Sequence, residues 1–334
     1  MENYVLIPTR NIDVFLLKTV KSIKNSGETL EIVIGFDNGH VDQSVVAKLE
    51  ELEVAILESP SAVPSVHSVL NFSLKSLFKS QPIFRMDADD LWVKGRSQHQ
   101  SQIHGNHDAV ASNMSFINSA GLAFPNLKYS FDNGIFSYPI LLFSNVICHP
   151  TIYFVGNSTR EVVYPDNAAE DYALWLDWIV KGRTIFYSNK KVIKYRMHSK
   201  QVSRNFNRNE SQLFELYDYW IRAAGSLNIE ALPFENFVAL QCREHGCNSH
   251  KLSSSHIIGL GMRLLRFYRE DSGISKSYRN RLIQELFVWS IFHKEIVKVI
   301  VELHKNKVPI AVTVKVLSRT LLHGVLVSIF VKRK

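Results

Sequence analysis

The chain has 334 residues, 46% of them hydrophobic, and a formal net charge of +8. This composition indicates a globular protein of one large or two modest domains and argues against a disordered chain. No stretch has the roughly 18 uninterrupted apolar residues of a membrane span, the N-terminus lacks the basic start of a signal peptide, and three cysteines cannot all pair, which favours a reducing, cytoplasmic location. The charge predicts an anionic partner: nucleotide phosphates, an anionic membrane surface or nucleic acid.

Strand-like and helix-like segments alternate up to about residue 120. Short apolar runs predict strands at 5–7, 31–36, 54–57 and 83–86. Amphipathic helices are predicted between them, the first capped by Asp13 and ending near Gly27. This alternation predicts an α/β fold, with a mainly parallel, Rossmann-like sheet covered by helices on both faces.

Polar residues follow three of the predicted strands. They are Thr9-Arg10-Asn11, Asp37-Asn38 and Asp87-Ala88-Asp89. Because ligands of such sheets bind beyond the carboxyl ends of the strands, these residues are expected to converge on one edge, as a nucleotide site requires.

The run 87–90 places three carboxylates at the end of one strand. Their mutual repulsion disfavours such a cluster unless a cation lies among the oxygens, and Mg2+ or Mn2+ suits this ligand type. We interpret Asp90 as a helix N-cap rather than a ligand. A solvated acidic turn is the alternative, and it is the better interpretation of the motif taken in isolation.

The second half of the chain changes character. A strand is predicted at 108–116, a helix at 170–181 closed by Gly182, and separate strands at 184–187 and 192–195. Beyond about residue 205 the pattern is helical. The sequence therefore predicts a catalytic or binding domain over 1–204 and a helical C-terminal region over 205–334.

Six segments, in this order, resemble inverting glycosyltransferases of family 2 with the GT-A fold, over about residues 3–204. They are VLIPTRN at 5–11, IVIGFDNG at 32–39, DADD at 87–90 followed by Arg96, NVICHP at 145–150, EDYALW at 170–175, and YRMH at 195–198 with Gln201 and Ser203. Each segment is weak evidence alone, and the common order makes the resemblance specific. The departures are Asn38 in place of a second acidic residue, Arg10 in place of an aromatic residue, and Lys94 in place of proline.

The resemblance implies a role for each matching residue. Asp171 would be the general base, Asp89 would bind a divalent cation (Mn2+ or Mg2+), and His198 would complete the metal shell or, with Arg196 and Gln201, neutralise the leaving diphosphate. The remaining residues would bind the nucleotide-sugar: Pro8, Thr9, Asn11, Asp37, Asn38, Asp87 and Arg96.

The implied reaction moves a sugar, with inversion, from a nucleotide-diphospho-sugar to a hydroxyl of a glycan or lipid-linked oligosaccharide. By analogy with the family, the product is bacterial lipopolysaccharide or capsule made at the cytoplasmic face of the membrane. A catalytically inactive sugar-nucleotide-binding protein is the first alternative, and the intact Asp89 and Asp171 argue against it. A nucleic-acid-binding protein is the second, but we find no interleaved aromatic and basic motif or recognisable reading helix in the sequence.

Two groups of cysteine and histidine residues have alternative interpretations. Cys242, His245, Cys247 and His250 are closely spaced but match no common zinc pattern, so a polar helix end is favoured. Cys148 and His149 would point to opposite faces of a strand, which disfavours a thiol nucleophile and leaves His149 structural or on the acceptor side.

The segment 310–330 predicts an amphipathic helix. Lys315, Arg319 and His323 would form a polar stripe opposite Val314, Leu317, Leu321 and Val325, and the chain ends in Lys332-Arg333-Lys334. The two interpretations left open are peripheral contact with an anionic membrane and packing on the first domain.

Overall fold

The computed structural model describes residues 3–60, 65–77, 81–125, 128, 130–167, 169–198, 210–241, 254–270, 276–292 and 295–332. Within these residues, ten strands form one sheet. The strands are β1 Tyr4–Thr9, β2 Glu31–Phe36, β3 Ala55–Glu58, β4 Ile83–Arg85, β5 Leu91–Trp92, β6 Ala109–Asn118, β7 Ala123–Phe124, β8 Gly134–Ile135, β9 Tyr153–Phe154 and β10 Ile185–Met197.

The helices of the first 200 residues are interspersed with these strands. They are α1 Val14–Lys24, α2 Gln43–Glu51, α3 Val66–Leu77, α4 Arg96–Ile103, α5 Gly156–Thr159 and α6 Glu170–Val180, with 3-10 turns at Tyr138–Leu142 and His149–Thr151. The predicted α/β fold is therefore confirmed, and the strand and helix boundaries predicted for the first 120 residues agree within a few residues.

The sheet is mixed, with a parallel half that holds the predicted strands. Its order is β3-β2-β1-β4-β9-β6-β10-β5, with β7 on β6 and β8 on β10. Strands β3, β2, β1 and β4 are all parallel, whereas the two-residue β9 is antiparallel to both of its neighbours. The carboxyl ends of β1, β2 and β4 consequently meet at one edge.

Alternation along β1 builds a core on each face of the sheet. Leu6 belongs to one buried cluster, whereas Val5 and Ile7 belong to a second, which also contains Leu16 and Val20 of α1. The Asp13 side chain accepts hydrogen bonds from the backbone N–H groups of Phe15 and Leu16 at 2.8 and 3.2 Å, as an N-cap does. The helix start predicted from the sequence is thus confirmed.

One prediction about the strands after residue 180 is wrong. The strands predicted at 184–187 and 192–195 are a single strand, β10, which pairs in parallel with β6. The register shifts between Ser188 and Ile193, where the exposed residues 189–191 lie. A bulge keeps a polar stretch inside a continuous strand, whereas the sequence pattern alone indicates a turn.

The C-terminal region is helical, as predicted. Its described helices are α7 Glu210–Ser226, α8 Phe234–Gln241, α9 Ser254–Glu270, α10 Lys276–Phe292, α11 Ile296–Lys305 and α12 Ile310–Lys332. Helix α7 packs on α6, and its fully buried Trp220 donates its indole N–H to the Leu142 carbonyl oxygen at 2.9 Å. One hydrophobic cluster extends from the sheet face through α6 and α7 to α10, so the division after residue 204 stays a prediction.

Helix α12 packs on the protein by one side and leaves an apolar side exposed. Val316 and Thr320 are buried, and His323 contacts the Phe116 ring of β6 at 6.0 Å between ring centroids. Val314, Leu321 and Val325 are exposed. The predicted stripe of basic residues is therefore only partly outward, because Arg319 and His323 are half-buried and only Lys315 is exposed. In the described part of the chain, no helix has both the length and the hydropathy to cross a bilayer.

Candidate active site

The loops that follow β1 and β2 are hydrogen-bonded to each other, and together they are called the double loop. The Asn11 side-chain oxygen accepts a hydrogen bond from the His40 backbone N–H at 3.3 Å, and the Thr9 hydroxyl donates to the Asn11 carbonyl at 2.8 Å. A Cβ on Gly39 would lie 1.6 Å from the carbonyl oxygen of Arg10, so only glycine allows this approach. Pro8 lies beside Gly35 in the same pair of strands.

Asp37 is the buried acid of this double loop, whereas Asn38 beside it is exposed and adopts a positive φ of 34°. Asp37 is only 5% exposed, and its Oδ1 has no hydrogen-bond partner. Burial raises the pKa of Asp37 above its usual value, and the nearby Arg10 partly opposes the rise. A buried carboxyl oxygen without a partner is costly unless a ligand supplies a donor, so Asp37 is suited to accept a hydrogen bond from a nucleotide base.

The acidic cluster lies directly beyond β4. Asp87, Asp89 and Asp90 each place a carboxylate oxygen within 4.8 Å of the others. The backbone between them is held by Thr19 of α1, whose hydroxyl lies 2.8 Å from the Ala88 carbonyl oxygen and 2.7 Å from that of Asp90. The first helix therefore fixes the shape of the turn that carries the acids.

Asp90 is not the helix cap predicted from the sequence. Helix α4 begins after Gly95, and the fully buried Asp90 instead accepts the Arg196 backbone N–H on Oδ1 at 2.8 Å. Its Oδ2 has no partner. Burial raises the pKa of Asp90 well above its usual value, and the charges of Asp87 and Asp89 add to the rise.

Asp87 has a counter-ion on the strand itself. Arg85, the last residue of β4, forms an ion pair with the Asp87 carboxylate. The pKa of Asp87 is nevertheless raised, because burial outweighs the effect of Arg85 and the charges of Asp89 and Asp171 act in the same direction as burial. The described side chains around the cluster therefore neutralise its negative charge only in part.

Asp89 and His198 contact each other. His198 Nε2 lies 2.7 Å from Asp89 Oδ2, and its ring stacks on Phe15 of α1 with centroids 5.7 Å apart. The two metal candidates predicted from the sequence are therefore brought together at the edge of the site.

The two candidate arginines hold the backbone of the site. Arg196 donates from Nε to the Asp89 carbonyl oxygen at 2.7 Å and from Nη1 to the carbonyls of Asn118 and Ser119. Arg96 is 1% exposed; it donates to the Arg85 carbonyl at 2.9 Å and to Gln100. Burial lowers the pKa of Arg96 to about 9. Both guanidinium groups are thus occupied by protein acceptors, and this placement supports positioning of the motif rather than contact with a phosphate.

Asp171 lies in the first turn of α6, where negative charge is favourable. Its Oδ2 accepts a hydrogen bond from Asn145 Nδ2 at 2.9 Å, and its Oδ1 accepts from the Tyr172 backbone N–H at 2.7 Å. The charge of Asp171 is among the causes of the raised pKa of Asp87. The candidate base therefore lies near enough to the acidic cluster for its charge to act on Asp87.

Glu170 differs from its neighbour. Burial, followed by the charge of Asp171, raises the pKa of Glu170 to about 8. The Glu170 carboxyl therefore holds its proton more tightly than an exposed glutamate does.

Sequence reasoning missed three residues that shape the site: Thr19, Arg85 and Asn145. Asn145 lies in a segment that resembles the family but was given no role, and Arg85 lies two residues before Asp87. His149 is buried and hydrogen-bonds Tyr164 through Nε2 at 2.7 Å, which fits the structural interpretation. Burial raises the pKa of Cys148 well above its usual value, so this thiol is a poor nucleophile. Gln201 and the Cys242–His250 group lie outside the described residues.

The residues present fit a hard divalent cation. Carboxylate oxygens are the ligands that Mg2+ and Mn2+ prefer, three acids converge within 4.8 Å, and the buried Asp90 Oδ2 has no hydrogen-bond partner. His198 Nε2, 2.7 Å from Asp89 Oδ2, would be the nearby nitrogen ligand.

Comparison with known proteins supports the resemblance drawn from the motifs. No family model matches the chain. It is 24% identical over 215 residues, 60% of this chain and 79% of the relative, to the Escherichia coli protein UDP-Glc:alpha-D-GlcNAc-diphosphoundecaprenol beta-1,3-glucosyltransferase WfaP.

Two solved structures share the fold. Residues 1–349 of S. aureus TarS superpose with a TM-score of 0.51 at 15% identity, covering 90% of this chain and 89% of TarS. The same TarS segment in complex with UDP-GlcNAc gives a TM-score of 0.52, with the same coverage. The predicted resemblance to bacterial glycosyltransferases, and the glycosyltransferase fold that it implies, are confirmed.

Proposed function

We propose that this protein transfers a sugar from a nucleotide-diphospho-sugar to an acceptor hydroxyl, with inversion at the anomeric carbon. Asp171 is the general base in this proposal, and Asp89, with Asp87 and His198 near it, holds a divalent cation. Two observations carry the proposal: three acids gather beyond β4 within 4.8 Å of one another, and Asp171 at the start of α6 is near enough for its charge to act on one of them, Asp87.

The reaction balances with one protein base. The acceptor oxygen forms its bond to the anomeric carbon while the bond from that carbon to the diphosphate oxygen breaks, and the acceptor proton passes to Asp171. Each carboxylate oxygen can accept two hydrogen bonds, so the contacts with Asn145 and Tyr172 orient Asp171 without preventing proton transfer. When bound, the cation would stabilise the charge on the leaving diphosphate.

The donor side of the site is assigned to the double loop. Asp37 has a buried oxygen without a partner, which can accept the imide N–H of uracil. Asn38 replaces the usual second acid and is exposed, so it contributes at most a neutral hydrogen bond. Pro8, Thr9 and Asn11, at the end of β1 and in the loop after it, would bind the nucleotide from the neighbouring strand. Since WfaP is named for UDP-Glc and TarS was solved with UDP-GlcNAc, UDP-linked hexoses are the first donors to test.

The acceptor is proposed to be a lipid-linked oligosaccharide, because WfaP is named for a diphosphoundecaprenol acceptor. The product would then belong to lipopolysaccharide or capsule, made at the cytoplasmic face of the membrane. Peripheral contact through 310–334 fits the exposed Val314, Leu321 and Val325 of α12, while the buried Val316 shows that the other side of this helix packs on the protein.

The test compares donor binding with turnover. A panel of UDP-sugars is first screened by thermal shift with and without Mn2+, and the best donor is then assayed for UDP release with a lipid-diphosphate-sugar acceptor. The proposal expects metal-dependent stabilisation by the donor and acceptor-dependent UDP release. Stabilisation without any UDP release would instead indicate the inactive sugar-nucleotide-binding protein.

A further inference from the structure

An open groove lies in the C-terminal helical region, between α9 and α11. Its volume is about 900 Å³. The cluster of acids, the double loop and Asp171 all lie outside its lining. The groove therefore belongs to a surface that the proposed reaction does not use.

The lining of this groove is basic. Arg263 and Arg266 of α9 face Lys298 and Lys305 of α11 across it, and Glu302 is the acid in the lining. Three of these bases have an ion-pair partner: Arg263 pairs with Glu230 at 3.4 Å, Lys298 with Glu295 at 2.9 Å, and Lys305 with Glu302 at 2.7 Å. The basic side chain of each pair is exposed, and ion pairs that solvent reaches contribute little to stability, so an anion can replace the acidic partners at small cost.

Apolar side chains accompany the charges. Val297 is 70% exposed and Val301 is 45% exposed on α11, and both line the groove. Ile258 and Met262 of α9 form its buried floor. A site for a soluble phosphate compound needs no such exposed apolar rim, whereas an amphiphile with an anionic head and hydrocarbon chains matches both parts.

We propose that the groove between α9 and α11 binds the headgroup of an anionic phospholipid and thereby holds the protein on a membrane surface. The arginines and lysines contact the phosphate, and Val297 and Val301 enter the boundary between headgroups and acyl chains. This inference does not depend on the proposed transfer reaction. It also differs from the contact proposed for 310–334, which uses none of these residues.

The test is vesicle pelleting of the full chain at low and high salt. Arg263→Gln/Arg266→Gln removes two charges from one wall, Lys298→Gln/Lys305→Gln removes two from the other, and Val297→Ser/Val301→Ser removes the apolar rim. Lys48→Gln/Lys75→Gln is the matched control, because it removes the same charge from exposed positions on α2 and α3.

Each groove charge variant should partition about thirtyfold less onto vesicles containing phosphatidylglycerol at low salt. The control should lose less than about fivefold, the effect of one interfacial charge. The apolar variant should lose about tenfold of the binding that remains at high salt. All of these side chains are exposed, and an unchanged thermal midpoint confirms that each variant is folded.

Three results would overturn the inference. The first is equal pelleting by the groove charge variants and the control variant. The second is equal binding of the wild-type protein to pure phosphatidylcholine vesicles. The third is binding of inorganic pyrophosphate by the groove, lost in the arginine variant, without any binding of vesicles, which would make it a site for free phosphate compounds.

Discussion

Replacing Asn145 tests whether Asp171 acts as the base and whether its orientation matters. Asn145 Nδ2 donates to Asp171 Oδ2 at 2.9 Å, a hydrogen bond to a charged group that is worth about 1.5–3 kcal/mol. Asn145→Ala removes this bond, and the carboxylate then turns away from the acceptor hydroxyl. We expect kcat to fall about 10- to 100-fold, as is typical when a reacting group is misplaced, with little change in KM for the donor.

Asn145→Asp adds a second measurement at the same position. It places a carboxylate where the amide now donates, so the pKa of Asp171 should rise by about one unit or more. The acidic limb of the pH profile of kcat should move to higher pH by that amount, whereas Asn145→Ala introduces no charge and should move it less. The assay is UDP release at saturating donor across the pH range. Wild-type kcat and an unmoved profile in both variants would refute the reasoning.

Four other predictions test separate parts of the site. Asp89→Ala should abolish Mn2+-dependent donor binding in a thermal shift assay. Wild-type affinity in that variant would show that Asp89 does not bind the metal. Asp171→Asn should keep donor affinity while lowering turnover roughly a hundredfold or more; near-normal turnover would make Glu170 the next candidate. Gly39→Ala should abolish donor binding, because its Cβ would lie 1.6 Å from a backbone oxygen, whereas Gly225→Ala, with nothing within 4 Å, should not. Because the folded pKa of Glu170 is raised to about 8, this residue should lower the free energy of unfolding as pH rises between about 4.5 and 8, by at most about 1.4 kcal/mol per pH unit, and Glu170→Gln should reduce the measured slope by that contribution in urea titrations.

Local pattern predicted the strands and their polar ends well, because those signals are short-range. The strand at 31–36 and the cap at Asp13 follow from apolar runs and an adjacent capping side chain. The convergence of Asp37 and the 87–90 run also followed, since parallel strands bring their carboxyl ends to one edge. These inferences needed no knowledge of distant contacts.

Predictions that depended on which way a long side chain points were weaker. Sequence marks Arg96 and Arg196 as basic residues near the motif, but it does not show that backbone carbonyls already receive their N–H groups. Asn145 was overlooked because its partner Asp171 is 26 residues away in the sequence, so local pattern does not reveal the hydrogen bond between them. The orientation of α12 depends on what the C-terminal helices pack against, so the half-burial of Arg319 and His323 was not visible in its amphipathic pattern.

The distribution of charge distinguishes the two proposed sites. The chain carries a net charge of +8, yet its candidate active site concentrates acids, Arg85 is paired with Asp87, and Arg96 and Arg196 donate to backbone carbonyls. A diphosphate is repelled by such a site unless a cation intervenes, so the basic surplus does not explain donor binding. Four basic side chains face one another in the groove between α9 and α11 instead. The positive charge that the sequence offers to an anionic partner is thus better matched to a membrane surface than to the nucleotide.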